Sequence, residues 1–485
     1  MTKDKKPQNK SQPTSKNRSA QSKSSPPPSS RSTIDESRRA LHSFNRALDN
    51  AARMIVKGFG EDRRQSLAIP LLAIFLSLAT ISLAVLAFGN NPLEVFRSIL
   101  AGAGWLSKAN YGGGQSQLTD LISLATVMTP LLFGALGFVV AMRCGLFNIG
   151  LAGQMVLAGF VATVLIGYSD MTAWLARPLV FLVGIVVGAL AGALIGFLKY
   201  RFNIHEVVSS IMLNNIFVLV VSFFIKSNHI DEITRNARIA NTDARLLTEP
   251  IQFGEVSARL PIGFFLALVC AFALWFFLTK TKQGFEMTAV GKSPKAAQYA
   301  GIKIGRTVIA AMAISGALGG LAGVTHYLAS VPSIAPGSLP SAGFDAIAVA
   351  FLGNVHPLGA VLAASLIATL SSGAAYMSST VGVRHEISAL ITGMILLFAA
   401  CGGYIRAKLN DKKRQYADRD TCTNIAANTG IDADAATGAT AGADTAANPP
   451  RDTVASAAKT NAGATSNSDT TAKARTHDLR GGGSA

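Results

Sequence analysis

The sequence predicts an all-α fold, a polytopic transmembrane helix bundle, and three observations carry that prediction. Hydrophobic residues make up 49% of the 485 and charged residues only 15%, a membrane protein's composition. The apolar residues come in long blocks instead of at amphipathic spacing. Many blocks reach the roughly 20 residues that a helix rising 1.5 Å per residue needs to cross a core about 30 Å thick.

Residues 1–33 are rich in Lys, Ser, Gln and Pro, with the run Pro26-Pro27-Pro28, and read as a disordered basic tail. Over 34–66 the pattern changes: Leu41, Phe44, Leu48 and Ile55 recur at helical spacing among Arg38, Arg39, Arg46, Arg53 and Lys57. An amphipathic juxtamembrane helix on an anionic leaflet fits this pattern, and so does a solvated helical linker. More than sixty mostly polar residues precede the first apolar block, which argues for a retained helix and against a cleaved signal.

The blocks then run approximately 67–88, 119–141, 146–168, 177–198, 206–225, 260–279, 306–328, 344–354, 357–378 and 387–404. That predicts about ten crossings, the eighth short or re-entrant. The formal charge is +17, and residues 1–66 hold 15 Lys plus Arg against 6 Asp plus Glu. With the basic tail inside, the alternating loops place Arg143, Lys199, Arg201, Lys280, Lys282, Lys292, Lys295, Lys303, Arg306, Arg406 and Lys408 inside as well. The 227–259 loop, with four Arg against five acids, falls outside. Charge therefore orients the chain, with both termini cytoplasmic, and does not call for nucleic acid as a partner. Residues 405–485 turn to Ala, Thr, Asn, Asp and Gly and read as a disordered cytoplasmic tail.

Gly184, Gly188, Gly192 and Gly196 recur every four residues, and Gly316/Gly320 with Gly319/Gly323 repeat the pattern. Such stripes let helices approach closely where lipid removes the hydrophobic drive for association.

No catalytic constellation is visible: there is no G-x-S-x-G, no H-E-x-x-H, and no Cys/His cluster with metal-ligand spacing. Cys144, Cys270, Cys401 and Cys422 have no C-x-x-C spacing and read as small hydrophobes. Gly291-Lys292-Ser293 resembles the end of a phosphate-binding loop, but Glu286 stands where that pattern needs its first glycine. The chain is therefore predicted to be non-catalytic, to hold no metal, and not to bind ATP itself.

The stretch from Gly284 to Ile302 instead reads as short helix, turn, short helix in the longest inside loop. Pro294 suits a first turn, Ser293 can cap it, and Ala296, Ala297 and Ala300 present a small-residue face to a partner's groove.

Here the sequence resembles a family. The Gly284 to Ile302 stretch, the segments Gly145 to Met155, His205 to Asn215 and Phe344 to Asn354, and their order over 67–404 are similar to the binding-protein-dependent ABC permeases of the sugar, nucleoside and branched-chain amino-acid group. Within it they look most like the nucleoside permeases. The resemblance implies an ATP-binding-cassette importer in a prokaryote's cytoplasmic membrane. Its ATPase would be a separate chain holding ATP and Mg, with a second permease subunit, related or identical, and an external substrate-binding lipoprotein. Gly284, Glu286, Gly291, Pro294, Ala296, Ala297, Tyr299, Ala300 and Gly301 would then form the ATPase-coupling loop. One departure is Ala152, where the family usually carries an acidic residue.

Substrate-path candidates come from polar residues in apolar blocks, which are costly unless they face a cavity or a partner. Glu206, Ser210, Asn214 and Phe217 share one helix face; the alternative is that they hydrogen-bond neighbouring helices. Asn148 and Gln154 flank glycines where a broken helix would turn backbone donors toward a cavity. Asp345, Asn354 and His356 bracket the short eighth block as a gate or cavity wall. Within the importer reading, ribose-like sugars and branched-chain amino acids stay open as substrates, and a secondary transporter driven by an ion gradient stays open as the rival class.

Overall fold

The computed structural model describes residues 62–382 except 88, 109–110, 112–115, 229–230, 232–234, 239–241, 249–250 and 254–255, together with isolated positions from 387 to 411. The predicted tails over 1–33 and, apart from Asp411, 405–485, most of the juxtamembrane stretch and most of the 387–404 block lie outside the described residues. The chain divides between Asn410 and Asp411 into two units, and every element labelled below belongs to the first.

Among the described residues, twelve α-helices with defined bounds follow one another: α1 (Asp62–Ala87), α2 (Pro92–Gly102), α3 (Gln117–Arg143), α4 (Leu151–Ala162), α5 (Ala173–Phe202), α6 (Glu206–Asn228), α7 (Ile262–Lys280), α8 (Lys282–Lys292), α9 (Pro294–Tyr299), α10 (Ile304–Thr325), α11 (Ser341–Leu352) and α12 (Pro357–Val381). A π-turn extends α4 over Thr163–Gly167, and another extends α10 over His326–Ser330. Six of these helices (α3, α5, α6, α7, α10 and α12) are long and apolar enough to cross a membrane. Leu71–Leu83, Leu151–Gly167 and Ser341–Leu352 are shorter apolar stretches. The chain is a multi-pass membrane protein: in lipid a helix satisfies every backbone polar group within one segment.

The first nine predicted blocks each coincide with a helix. The helix α2 was not foreseen; Asn91 caps it by accepting a hydrogen bond from Leu93 N at 3.1 Å, with Pro92 at its first position. It lies against α12 at Gly102 and Gly373. Two small antiparallel ladders lie in the connections between these helices. In one, β1 (Ala237–Arg238) pairs with β4 (Ser333–Ile334); in the other, β2 (Ile251–Phe253) pairs with β3 (Val256–Ala258).

Burial separates centre from rim. The apolar window of α3 is 83% buried against 22% for α7, so α3 is a core helix and α7 a peripheral one. Beside α3 runs α10, whose two glycine faces explain the stripes. A Cβ on Gly188 or on Gly192 of α5 would stand 2.8 Å from the Cα of Gly320 or Gly316. Further round α10, a Cβ on Gly323 would stand 2.6 Å from Met155 Cα of α4. The stripes therefore seat α10 between α5 and α4 of the same chain.

Candidate functional site

The turn-linked helices α8 and α9 close one end of the bundle. Thr281 caps α8 by accepting from Gly284 N at 3.2 Å, and Ser293 caps α9 by accepting from Ala296 N at 3.4 Å, with Pro294 opening the helix. Gly301 ends α9 at φ +80°, a left-handed turn that lets Gly301 N donate to Gln298 O and Ile302 N to Ala297 O. Helix, turn and helix stand where the sequence puts them.

The faces of that element are sorted differently from the predicted small-residue face. Ala297 is buried in its own chain, whereas Ala296 and Ala300 are exposed. The large open side chains are Tyr299, 93% exposed, and Phe285, 68% exposed. Glu286 lies 4.0 Å from Lys282 as an i,i+4 pair. An open groove of about 680 Å³ separates α8 from the first turns of α10, with Lys303 and Arg306 on its rim.

Inward, α8 is seated by glycines. Gly284 packs on Leu278 so closely that a Cβ would be 2.6 Å from Leu278 Cα. Gly291 meets the α3–α4 connection, where its Cβ would be 2.8 Å from Gly145 N. Gly145 itself holds φ +72°, a conformation that favours glycine.

Three residues past Gly145 begins a buried polar cluster around the start of α4. Asn148, wholly buried, donates from Nδ2 to Ser315 Oγ at 2.8 Å and to Gln154 Oε1 at 3.3 Å, and its Oδ1 accepts from Gly150 N at 2.9 Å. From α6, Asn214 Oδ1 accepts from Gly153 N at 2.9 Å while its Nδ2 donates to Ile149 O at 3.0 Å. Two of the backbone donors at the start of α4 are thus occupied by side chains. Gln154 Nε2 and Ser210 Oγ are buried without a partner among the described residues. Ser315 belongs to this cluster, and the sequence offered no signal for it beyond its place among the glycines of α10.

Of the predicted α6 face, Glu206, Ser210 and Asn214 are buried and Phe217 packs half-buried against the core. Glu206 is ion-paired with Lys199 of α5. All four turn into the chain's own bundle. On the other flank of α4, a Cβ on Gly343 of α11 would be 2.6 Å from Ala152 Cα, so α11 packs directly on the wholly buried Ala152. Asp345 is half-buried next to exposed Phe344 and is hydrogen-bonded by Ser341.

The turn from α11 to α12 places Asn354 and Val355 at φ 56° and 52°. For a β-branched residue this is a strained conformation. Arg143 Nε donates to Val355 O at 3.2 Å, and Val355 N donates to Ala350 O at 2.9 Å, and these bonds hold the turn. Burial, with the Arg143 charge adding to it, keeps His356 below the ordinary imidazole value and so neutral at pH 7. Burial likewise pushes the neighbouring Cys144 thiol up to about 12.

A helix bundle with a buried polar cluster in its interior and a capped helix–turn–helix at one end is that of a multi-pass membrane protein. The model of the branched-chain amino acid transport system / permease component family matches residues 121–400, and the chain belongs to that family. It is 34% identical over 358 residues to the guanosine ABC transporter permease protein NupP of Bacillus subtilis, covering 73% of this chain and 99% of that one. To the nucleoside ABC transporter permease protein NupB of Lactococcus lactis it is 33% identical over 368 residues, covering 74% and 98%. The glucose ABC transporter permease protein TsgB13 of Haloferax volcanii is 25% identical over 340 residues, covering 68% and 86%. No solved structure matches.

Proposed function

We propose that this chain is the membrane subunit through which an ATP-driven importer carries nucleosides across the cytoplasmic membrane of a prokaryote. The observation that carries this reading is the pair of relatives named for guanosine and for nucleosides, each matched over nearly its whole length. ATP and Mg belong to a separate ATPase, which docks on the side of α8 and α9 that presents Phe285 and Tyr299. A substrate-binding lipoprotein delivers nucleoside at the opposite end, and a second permease subunit, related or identical, completes the path. The chain crosses about ten times with α11 as its short segment, and both termini are cytoplasmic.

In this mechanism the ATPases pull on α8, and the backbone contact between Gly291 and Gly145 passes the pull to the start of α4. There the hydrogen bonds from Asn148 and Asn214 tie α4 to α10 and α6, so the three helices shift together. Direct backbone contact suits this task because it has no flexible side chain to absorb the motion.

The test is uptake of labelled guanosine, uridine, ribose and leucine in cells with the gene deleted and restored. Loss and recovery of nucleoside uptake alone supports the reading. A second reading, a sugar importer, is favoured by the likeness to the glucose permease, and loss of ribose uptake alone would establish it.

A further inference from the structure

The face of α6 that the sequence reading passed over is the one left open. Val208, Ile211, Met212, Ile216, Leu219 and Phe223 are all exposed there, and Asn215 is exposed in their midst. Asn215 is the tenth of 23 residues in α6, so it sits roughly 14 Å along the helix, near the middle of a core about 30 Å thick.

The peripheral helices show what a lipid-facing surface looks like in this protein. On α7 the exposed residues from Ile262 to Phe276 are Phe265, Val269, Phe272, Ala273 and Phe276. Between Pro178 and Phe197 of α5 they are likewise all apolar. An exposed hydroxyl can satisfy itself on its own helix, as when Thr80 Oγ1 donates to Leu76 O at 2.8 Å. An amide has more hydrogen-bonding positions than that; Asn215 uses Nδ2 on Ile211 O at 3.0 Å, which leaves its carbonyl oxygen without a partner among the described residues. A free amide carbonyl at mid-bilayer is costly against lipid and costs little against a wet path.

We propose that the Asn215 face of α6 lines the translocation path closed by the second permease subunit, and that the Asn215 amide hydrogen-bonds the passing nucleoside. The proposal rests on the importer reading above. It assigns Asn214 and Asn215 opposite tasks. Asn214 ties α6 to the backbone of α4, and Asn215, one residue and about 100° further round the helix, meets substrate. A base edge and a ribose both offer donors for a fixed carbonyl oxygen, whereas an apolar side chain there would leave those donors unpaired.

The test uses the complete transporter with the four native cysteines of this chain replaced by alanine. Asn215→Cys is expected to react with a membrane-impermeant methanethiosulfonate and to be protected several-fold by guanosine, while Val269→Cys on the lipid face stays unreactive. Asn215→Leu is expected to raise the apparent KM for nucleoside about tenfold at unchanged membrane level and thermal stability, and Asn215→Gln to recover part of it. Labelling of Asn215→Cys only by a lipid-soluble maleimide, as for Val269→Cys, or unchanged transport by Asn215→Leu, overturns the proposal. Should Asn215→Leu fail to assemble, the cysteine arm decides alone. If the unsubstituted transporter carries another solute and no nucleoside, the nucleoside reading falls separately, and protection of Asn215→Cys by that solute still tests the path.

Discussion

Gly145 and Gly291 meet backbone to backbone: a Cβ on Gly145 would stand 3.0 Å from Gly291 Cα, and one on Gly291 would stand 2.8 Å from Gly145 N. Neither position can accept a side chain without parting α8 from the α3–α4 connection, because the atoms in the way are main chain. Gly291→Ala is therefore expected to lower substrate-stimulated ATP hydrolysis and uptake at least about tenfold while the protein still reaches the membrane, a loss of about 1.4 kcal/mol in coupling. ATPase activity and uptake measured together in proteoliposomes decide it. Full coupling in Gly291→Ala would mean that α8 transmits its motion by another route.

The exposed rim of α8 and α9 gives a second prediction. Tyr299 touches little of its own chain, so Tyr299→Asp should leave thermal stability within about 0.5 kcal/mol and cost most of the association with the ATPase. Ala297→Arg acts differently, because Ala297 is buried and arginine there disrupts the loop itself. Co-purification with the ATPase, read beside melting temperature, separates the two. Retention of the ATPase by Tyr299→Asp removes this surface from the docking reading.

Much of the fold was legible because lipid imposes one rule on every span: an apolar block of sufficient length becomes a helix. The cap at Ser293 and the start at Pro294 were legible because caps are local chemistry. The helix α2 was missed although Asn91-Pro92 announced it, because its 11 residues are too short to register as a crossing. What lay beyond reach was partnership. Periodicity put Glu206, Ser210 and Asn214 on one face of α6, but which face turns inward depends on Lys199 of α5 and on the backbone of α4. Ser315, 167 positions from Asn148, joins the cluster only through tertiary packing.

That cluster carries a third prediction. Asn214→Leu removes both bonds to α4 and leaves Gly153 N–H and Ile149 C=O unpaired in the interior, at about 1–3 kcal/mol for each stranded group. Detergent-solubilised protein should melt at a markedly lower temperature whether or not nucleoside is present. An unchanged melting temperature with a raised KM would instead make Asn214 a substrate contact.

Chemistry at Cys144 follows from its burial. With the thiol pushed up to about 12, well above the usual value near 8.5, the neutral form dominates at pH 7 and the reactive thiolate is scarce. The thiolate fraction grows only as pH rises toward that value. Iodoacetamide should therefore leave Cys144 unmodified in the folded protein between pH 7 and 9 and alkylate it after denaturation, as peptide mass spectrometry would report. Rapid native labelling would mean that the α3–α4 connection opens, and with it the Gly291 contact.

The glycine stripes yield an ordering that a generic preference for small residues does not. At Gly188 a Cβ would meet Gly320 Cα and N, both at 2.8 Å; at Gly196 it would meet Ile309 Cα at 3.0 Å and Met312 Cβ at 3.1 Å; at Gly393 it would meet nothing within 4 Å. The first obstacle is main chain at 2.8 Å, the second stands at 3.0–3.1 Å, where a shift of a few tenths of an ångström relieves it, and the third is absent. Gly188→Ala should therefore cost the most, about 2–3 kcal/mol, Gly196→Ala about 1 kcal/mol, and Gly393→Ala next to nothing. Thermal stability by fluorescence-detected size exclusion ranks the three on the same day from the same membranes. Equal stability of Gly188→Ala and Gly393→Ala would show that α5 and α10 do not meet within one chain as closely as described, and would leave the Gly184 stripe free to contact a partner subunit.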